Sequence, residues 1–250
     1  MIAAGFPILR KSRNGSTLVG LDIGTASLAA VEVEVNGSAR VVRTALAELP
    51  VGVAQDGEVA DPDALGDNLK ELFAAHKLGR EVRIGLANQR VVVRTLQLPR
   101  MKADEEIESA IRFMAQEHVP MPLEDAILDW PVMDSRPDAE EGNNTMDVAV
   151  VAARHGVVDP LVDAARKAGL RLAGLDVSAF GMIRALAGDR ELAPTTEDGD
   201  GAPQGARMLC NLADVTNLVV VRGSNCLFTR ISTFGMEGIA QRLAERRELT

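Results

Sequence analysis

Apolar and polar positions alternate with period two in three successive stretches near the start of the chain, Thr17 to Ile23, Leu28 to Val35 and Ala39 to Ala47. Period two is the signature of strands, and the short turns between them, Gly24 to Ser27 and Asn36 to Ser38, predict an antiparallel meander. The period then lengthens. Leu65, Leu69, Leu72 and Phe73 share one helical face across Asp63 to Lys77, with Gly79 ending that helix. Two strands follow, Glu81 to Ala87 and Val91 to Leu98, joined through Asn88 and Gln89. A helix from Asp104 to His118 carries Ile107, Ile111, Met114 and Ala115 on its apolar side, and Pro120 and Pro122 stop it.

Strands at Ala126 to Val132 and Met146 to Ala153 flank an acidic loop, Asp134 to Thr145, expected as an exposed hairpin tip. Helix Val157 to Ala168, strand Leu170 to Val177 and helix Ala179 to Leu186 come next. Residues 188 to 207 are rich in Pro, Gly, Thr and Asp with few large apolar side chains, the composition of a flexible linker. Beyond it, strands Met208 to Ala213, Asn217 to Arg222 and Cys226 to Ser232 repeat the spacing of the opening meander, and Gly235 opens a last helix. The echo predicts two related lobes.

Composition narrows the function classes. A chain of 250 residues that is 46% hydrophobic can bury one large core or two smaller ones. Its net charge of -9, with no Tyr and one Trp, argues against a nucleic-acid surface. Two cysteines, Cys210 and Cys226, make no disulfide framework and suit a reducing compartment as small buried hydrophobes. His76, His118 and His155 lack metal-ligand spacing, while Glu105, Glu106 and Glu108 suit the positive end of a helix. Apolar runs such as Leu218 to Val221 fall far short of the roughly 20 residues that cross a bilayer. Residues 1 to 16 place Arg10, Lys11 and Arg13 after an apolar stretch and read as a flexible tail rather than a secretory signal, so membrane contact is expected only through a partner.

Candidate chemistry concentrates at Val19 to Ser27. A strand that turns sharply at Gly24 exposes backbone N–H groups and the hydroxyls of Thr25 and Ser27 toward a phosphate, while Asp22 can hold a hydrated magnesium ion. The same residues also suit an ordinary Asp-Gly hairpin turn. A second strand-turn-strand, Cys210 to Leu218, offers Asn211, Asp214, Thr216 and Asn217, and two such loops on two lobes would clamp one nucleotide from both sides.

Gly20-Leu21-Asp22-Ile23-Gly24-Thr25 resembles the first phosphate motif of the actin-like ATPases. Asp176-Val177-Ser178-Ala179-Phe180, followed by Arg184-Ala185, resembles their connecting helix. Val93 to Pro99, with Ala110 to Phe113 and Val119 to Asp125, resembles the small inserted subdomain of the PilM-type pilus-assembly proteins within that superfamily. The resemblance implies an α/β, actin-like (ribonuclease H-like) two-lobe fold. Residues 17–80 and 170–187 would form the first lobe, 81–169 an inserted subdomain and the return to that lobe, and 208–250 part of the second. It implies ATP with magnesium as cofactor and a weak ATPase at most. Asp22 and Asp176 would be the catalytic carboxylates, with Asp22 also on the metal. Gly24, Thr25, Ala26, Ser27, Asn211, Asp214, Thr216, Asn217 and Gly235 would line the cofactor. Three departures bear on this: Ala29 replaces a frequent Lys, and Asn211 and Ala213 stand where Asp and Gly are usual, which removes charge and adds steric cost at the phosphates.

The implied role is a cytoplasmic adaptor at the inner face of the plasma membrane. It would capture the N-terminal peptide of a PilN-like inner-membrane protein in a groove built from Arg83 to Asp129, among other pilus assembly components. Two alternatives remain open: a nucleotide-free scaffold of a related pilus or type II secretion system, and a small-metabolite kinase of the same superfamily.

Overall fold

The computed structural model describes residues 17–36, 38–101, 104–130, 132–133, 145–187, 205–223 and 225–247. The expected N-terminal tail, nearly all of the linker at 188–207 and the loop at 134–144 lie outside the described residues. Strands β1 (Thr17–Ile23), β2 (Ser27–Asn36) and β3 (Ser38–Glu48) form the predicted antiparallel meander. A two-residue hairpin, β4 (Ala54–Gln55) and β5 (Glu58–Val59), then leads into helix α1 (Pro62–Ala75). The Asp61 carboxylate caps α1 by accepting from the Ala64 N–H at 2.9 Å, and Pro62 starts the helix, where its missing N–H costs nothing.

Strand β6 (Glu81–Leu86) pairs parallel with β1, and β11 (Arg171–Val177) pairs parallel with β6, giving the sheet order β11-β6-β1-β2-β3. α1 and α3 (His155–Lys167) cover one face of this sheet. Leu65, Leu69 and Phe73 of α1 and Leu161 and Ala164 of α3 pack there on Val19, Leu21, Leu28, Val82 and Ile84. Close packing of the two helices depends on Gly66, because a Cβ at that position would sit 2.9 Å from the Lys167 side chain.

Between β6 and α3 the chain builds a second sheet from β7 (Val91–Pro99), β10 (Thr145–Arg154), β8 (Ala126–Asp129) and β9 (Val132–Met133). Helix α2 (Asp104–His118) lies on one face of it through Ile107 and Ile111 against Leu96, Leu98, Val148 and Val150. The two strands joined through Asn88 and Gln89 belong to different sheets, β6 to the first and β7 to the second, with the corner at 87–90 between them. One sequence expectation changes here. Ala126 to Val132 is not one strand. β8 ends at Asp129, whose carboxylate accepts the Trp130 N–H at 2.9 Å, and β9 begins at Val132.

Helix α4 (Ser178–Leu186) follows β11, and a third sheet of β12 (Arg207–Leu212), β13 (Thr216–Arg222) and β14 (Asn225–Ser232) repeats the meander before helix α5 (Met236–Arg247). Phe180 and Ile183 of α4 pack on Val219 and Val221 of that sheet and on Val91, Val93 and Val151 of the inserted one. Three sheets therefore meet on one short helix. This is the two-lobe actin-like α/β organisation with an inserted subdomain. Cys210 is exposed on β12 rather than buried, because its face of that sheet has no layer over it among the described residues, and Cys226 is half-buried.

Candidate functional site

The ends of β1, β6 and β11 lie side by side at one rim of the first sheet, the rim at which open α/β sheets bind ligands. Asp22 lies at the end of β1, Gly85 in β6 and Asp176 in β11, so the two carboxylates are separated by a strand that has no side chain between them. A Cβ on Gly85 would meet Ser178 Oγ at 2.8 Å and Asp22 Oδ1 at 3.8 Å, and Ser178 Oγ is buried with no hydrogen-bond partner. Asp22 remains open to water but is ringed by protein. Burial pushes its carboxyl above the usual carboxylate range, and the Asp214 carboxylate adds to the rise.

The turn after β1 is closed by the Gly24 N–H donating to the Ser27 carbonyl at 2.8 Å, while the Ala26 carbonyl accepts from Leu49 N–H at 2.9 Å. That leaves the Thr25 N–H directed outward, and it donates to Asp214 Oδ2 at 2.6 Å across 189 residues of sequence. The second loop, between β12 and β13, thus reaches the first. Its backbone is fixed from behind: Met236 N–H donates to the Ala213 carbonyl at 2.8 Å, and the Thr216 hydroxyl donates to the Phe234 carbonyl. Gly235 is packed so closely that a Cβ there would lie 2.0 Å from the Asp214 carbonyl oxygen.

The candidate residues accordingly fall into groups. Asp22, Gly24, Thr25, Ala26 and Ser27 share one end of the β1–β2 hairpin, and Asp214 and Gly235 close against it. Thr216 supports the second loop. Asn217 is fully buried with both side-chain polar atoms unpartnered, facing Asn211, which is exposed across the ladder. Asp176 sits apart, its carboxylate paired with Arg184 and, at 3.9 Å, with Arg83. The chemistry of this set fits a polyphosphate with a divalent cation. An outward N–H already holds a carboxylate oxygen, a glycine cradle surrounds it, and a carboxylate and an orphaned hydroxyl stand nearby. Ser178 was not foreseen from the sequence. The signal lay in its position as the first residue of a helix following a strand that ends in Asp176-Val177.

A second feature opens between the inserted sheet, α4 and β14. This groove of about 260 Å³ is lined by Val93, Arg94, Thr95, Ala149, Phe180 and residues 226–229. β7 and β14 are both terminal strands of their sheets, so each presents an edge there. Asp129 stands in the same cross-strand row as Val151 and Val93. Burial pushes its carboxyl up, the Trp130 N–H offsets part of that, and Asp176 adds to the rise, so the carboxylate lies within electrostatic reach of the first lobe. The expected groove spanned 83–129; the lining also draws on α4, β10 and β14.

The sequence model of the family described as type IV pilus assembly protein PilM matches residues 20–250. Among solved structures, the chain is similar to a PilM-PilN type IV pilus biogenesis complex, with a TM-score of 0.76, 28% identity and coverage of 93% of this chain and 66% of that one. It therefore spans just under two thirds of the length of that relative. It also shares a fold, at a TM-score of 0.50 and 13% identity over 86% of this chain and 71% of that one, with the cytoplasmic domain of EpsL, an inner-membrane component of the type II secretion system of Vibrio cholerae.

Proposed function

The chain belongs to the PilM family of type IV pilus assembly proteins, and on that premise we propose that it is a cytoplasmic adaptor at the inner face of the plasma membrane, capturing the N-terminal peptide of a PilN-like partner. The observation that carries this reading is the groove lined by Val93, Thr95, Ala149, Phe180 and Phe228, where two strand edges flank an apolar floor. An extended peptide suits such a groove, since strand edges supply main-chain hydrogen bonds and the apolar floor takes alternate side chains. The likeness to a PilM-PilN complex supports the choice of partner.

Nucleotide is the second part of the proposal. Gly24, Thr25, Ser27 and Asp214 surround the position a terminal phosphate would take, and Asp22 with Ser178 would hold its magnesium and water shell. A bound magnesium nucleotide would supply negative charge and a cation to bridge the two loops. With Asp176 engaged by Arg184 and Arg83, the site favours holding a nucleotide over turning it over.

The test is calorimetry with a synthetic N-terminal peptide of a PilN-like protein. Phe228 is half exposed and lines the groove without anchoring the core, so Phe228→Ala should weaken peptide binding by about tenfold, the scale of an aromatic anchor. Undiminished binding in the variant moves the peptide elsewhere, and no binding by the folded parent chain overturns the adaptor reading.

A further inference from the structure

We propose that Asp214 is a tethered anion that fills the phosphate position of the first loop, so that the two lobes latch together when that loop is empty and a polyphosphate binds only by displacing the carboxylate. The inference rests on the nucleotide part of the reading above and adds its regulation.

The contact has the features of anion recognition rather than of ordinary packing. Thr25 donates its backbone N–H to Asp214 Oδ2 at 2.6 Å, a close N–H···O contact of the kind a charged acceptor favours. The same oxygen lies 2.9 Å from where a Cβ on Gly24 would be, so it occupies the cradle that the missing side chain leaves. Any other residue at position 24 would expel it. A backbone N–H beside a glycine at the tip of a hairpin is what binds a phosphate oxygen in other folds, and here the protein supplies the oxygen itself.

The carboxylate is also delivered by a rigid support. Gly235 abuts the Ala213 and Asp214 carbonyls, with Met236 N–H on the Ala213 carbonyl, so the loop cannot rest elsewhere without moving α5. Yet the latch carries its own tension, because the seated Asp214 carboxylate disfavours the charged form of Asp22. A magnesium polyphosphate relieves that tension by displacing the Asp214 carboxylate and bringing a cation to Asp22. The outcome is a switch with two mutually exclusive occupants of one N–H.

Such a tethered competitor lowers apparent affinity by the fraction of molecules in which it is seated, so removing it should tighten binding by about tenfold or more. The experiment is calorimetry with Mg-ATP and, separately, magnesium pyrophosphate, on the parent chain, Asp214→Asn and Asp214→Ala. The first variant keeps the shape and removes the charge, and the second guards against a residual hydrogen bond. Alongside, the Thr25 amide resonance reports the latch directly. The inference expects both variants to bind more tightly than the parent, and expects the Thr25 resonance to move in the variants and again in the nucleotide-saturated parent. Variants that bind equally or more weakly overturn the inference but leave the nucleotide reading standing, with Asp214 then a supporting ligand. If none of the three binds either probe, both fail together, and a Thr25 resonance unmoved by either substitution shows that no latch existed.

Discussion

Replacing Gly235 by alanine tests the architecture of the second loop in a single methyl group. Its Cβ would lie 2.0 Å from the Asp214 carbonyl oxygen, 2.4 Å from that of Ala213 and 2.5 Å from the Asp214 carbonyl carbon. All three are backbone atoms, so no side chain can swing aside, and the loop must retreat by about 1 Å to reach van der Waals contact. That retreat breaks the 2.8 Å bond from Met236 N–H to the Ala213 carbonyl. Overpacking costs about 1–3 kcal/mol, and the lost hydrogen bond about another 1 kcal/mol. Gly235→Ala should therefore lower the melting temperature by roughly 4–16 °C, at about 2–4 °C per kcal/mol for a chain of this size. It should also withdraw Asp214 from Thr25, so that the Thr25 amide exchanges with solvent faster. The matched control is Gly238→Ala. Its Cβ would meet only the Phe234 ring, at 3.7 Å, and inside α5 alanine is favoured over glycine by about 1 kcal/mol. Thermal unfolding and amide exchange on both variants decide the matter. A Gly235→Ala protein that melts within a degree of the parent, with Thr25 equally protected, would show that this packing does not hold the loop.

Asp22→Asn should stabilise the nucleotide-free chain at pH 7 while abolishing Mg-ATP binding. Burial and Asp214 raise the folded-state carboxyl above its unfolded value, so stability is lost as pH rises through the folded value, and the amide escapes that loss. The gain should vanish below the unfolded carboxylate range, which thermal melts at pH 3 and pH 7 would resolve; a variant less stable at pH 7 contradicts the sign. Asn88→Ala should cost about 1–3 kcal/mol in denaturant unfolding, since buried Asn88 accepts the Arg90 N–H at 2.7 Å and donates to the Asp56 carbonyl at 3.3 Å. Because that corner leads from the first sheet into the inserted one, proteolysis near residues 87–90 should rise as well, and unchanged cleavage would mean that the corner is held by other contacts.

Helix α2 was legible in full because Ile107, Ile111 and Ala115 recur at helical spacing between an acidic first turn and two prolines, and its observed ends coincide with the predicted ones. The opening meander was equally plain, its turns being short enough to force neighbouring strands together. What periodicity could not supply was partnership. β6 has the alternation of a half-buried strand, yet it pairs with β1 and β11, which lie about 60 residues before it and 90 after it. The hairpin β4–β5 is two residues a side, too short to make a pattern. At the site, the first loop could be read as a local motif, but the Thr25–Asp214 contact and the arginines on Asp176 come from tertiary closure, which a linear spacing does not encode.

Helix α4 joins the two features at close range. Its first residue, Ser178, places an orphaned hydroxyl beside Asp22, and Phe180, two residues on, forms part of the groove floor. Along the helix axis that is a rise of about 3 Å. An occupant at either place bears on the same rigid turn, so the two binding equilibria share a thermodynamic cycle. Whatever factor a phosphate compound imposes on peptide affinity, the peptide must impose on the phosphate compound in return. A pilus partner docked in the groove would then change nucleotide affinity by the same factor by which nucleotide changes its own, the sign set by whether the two occupants ask α4 to move the same way.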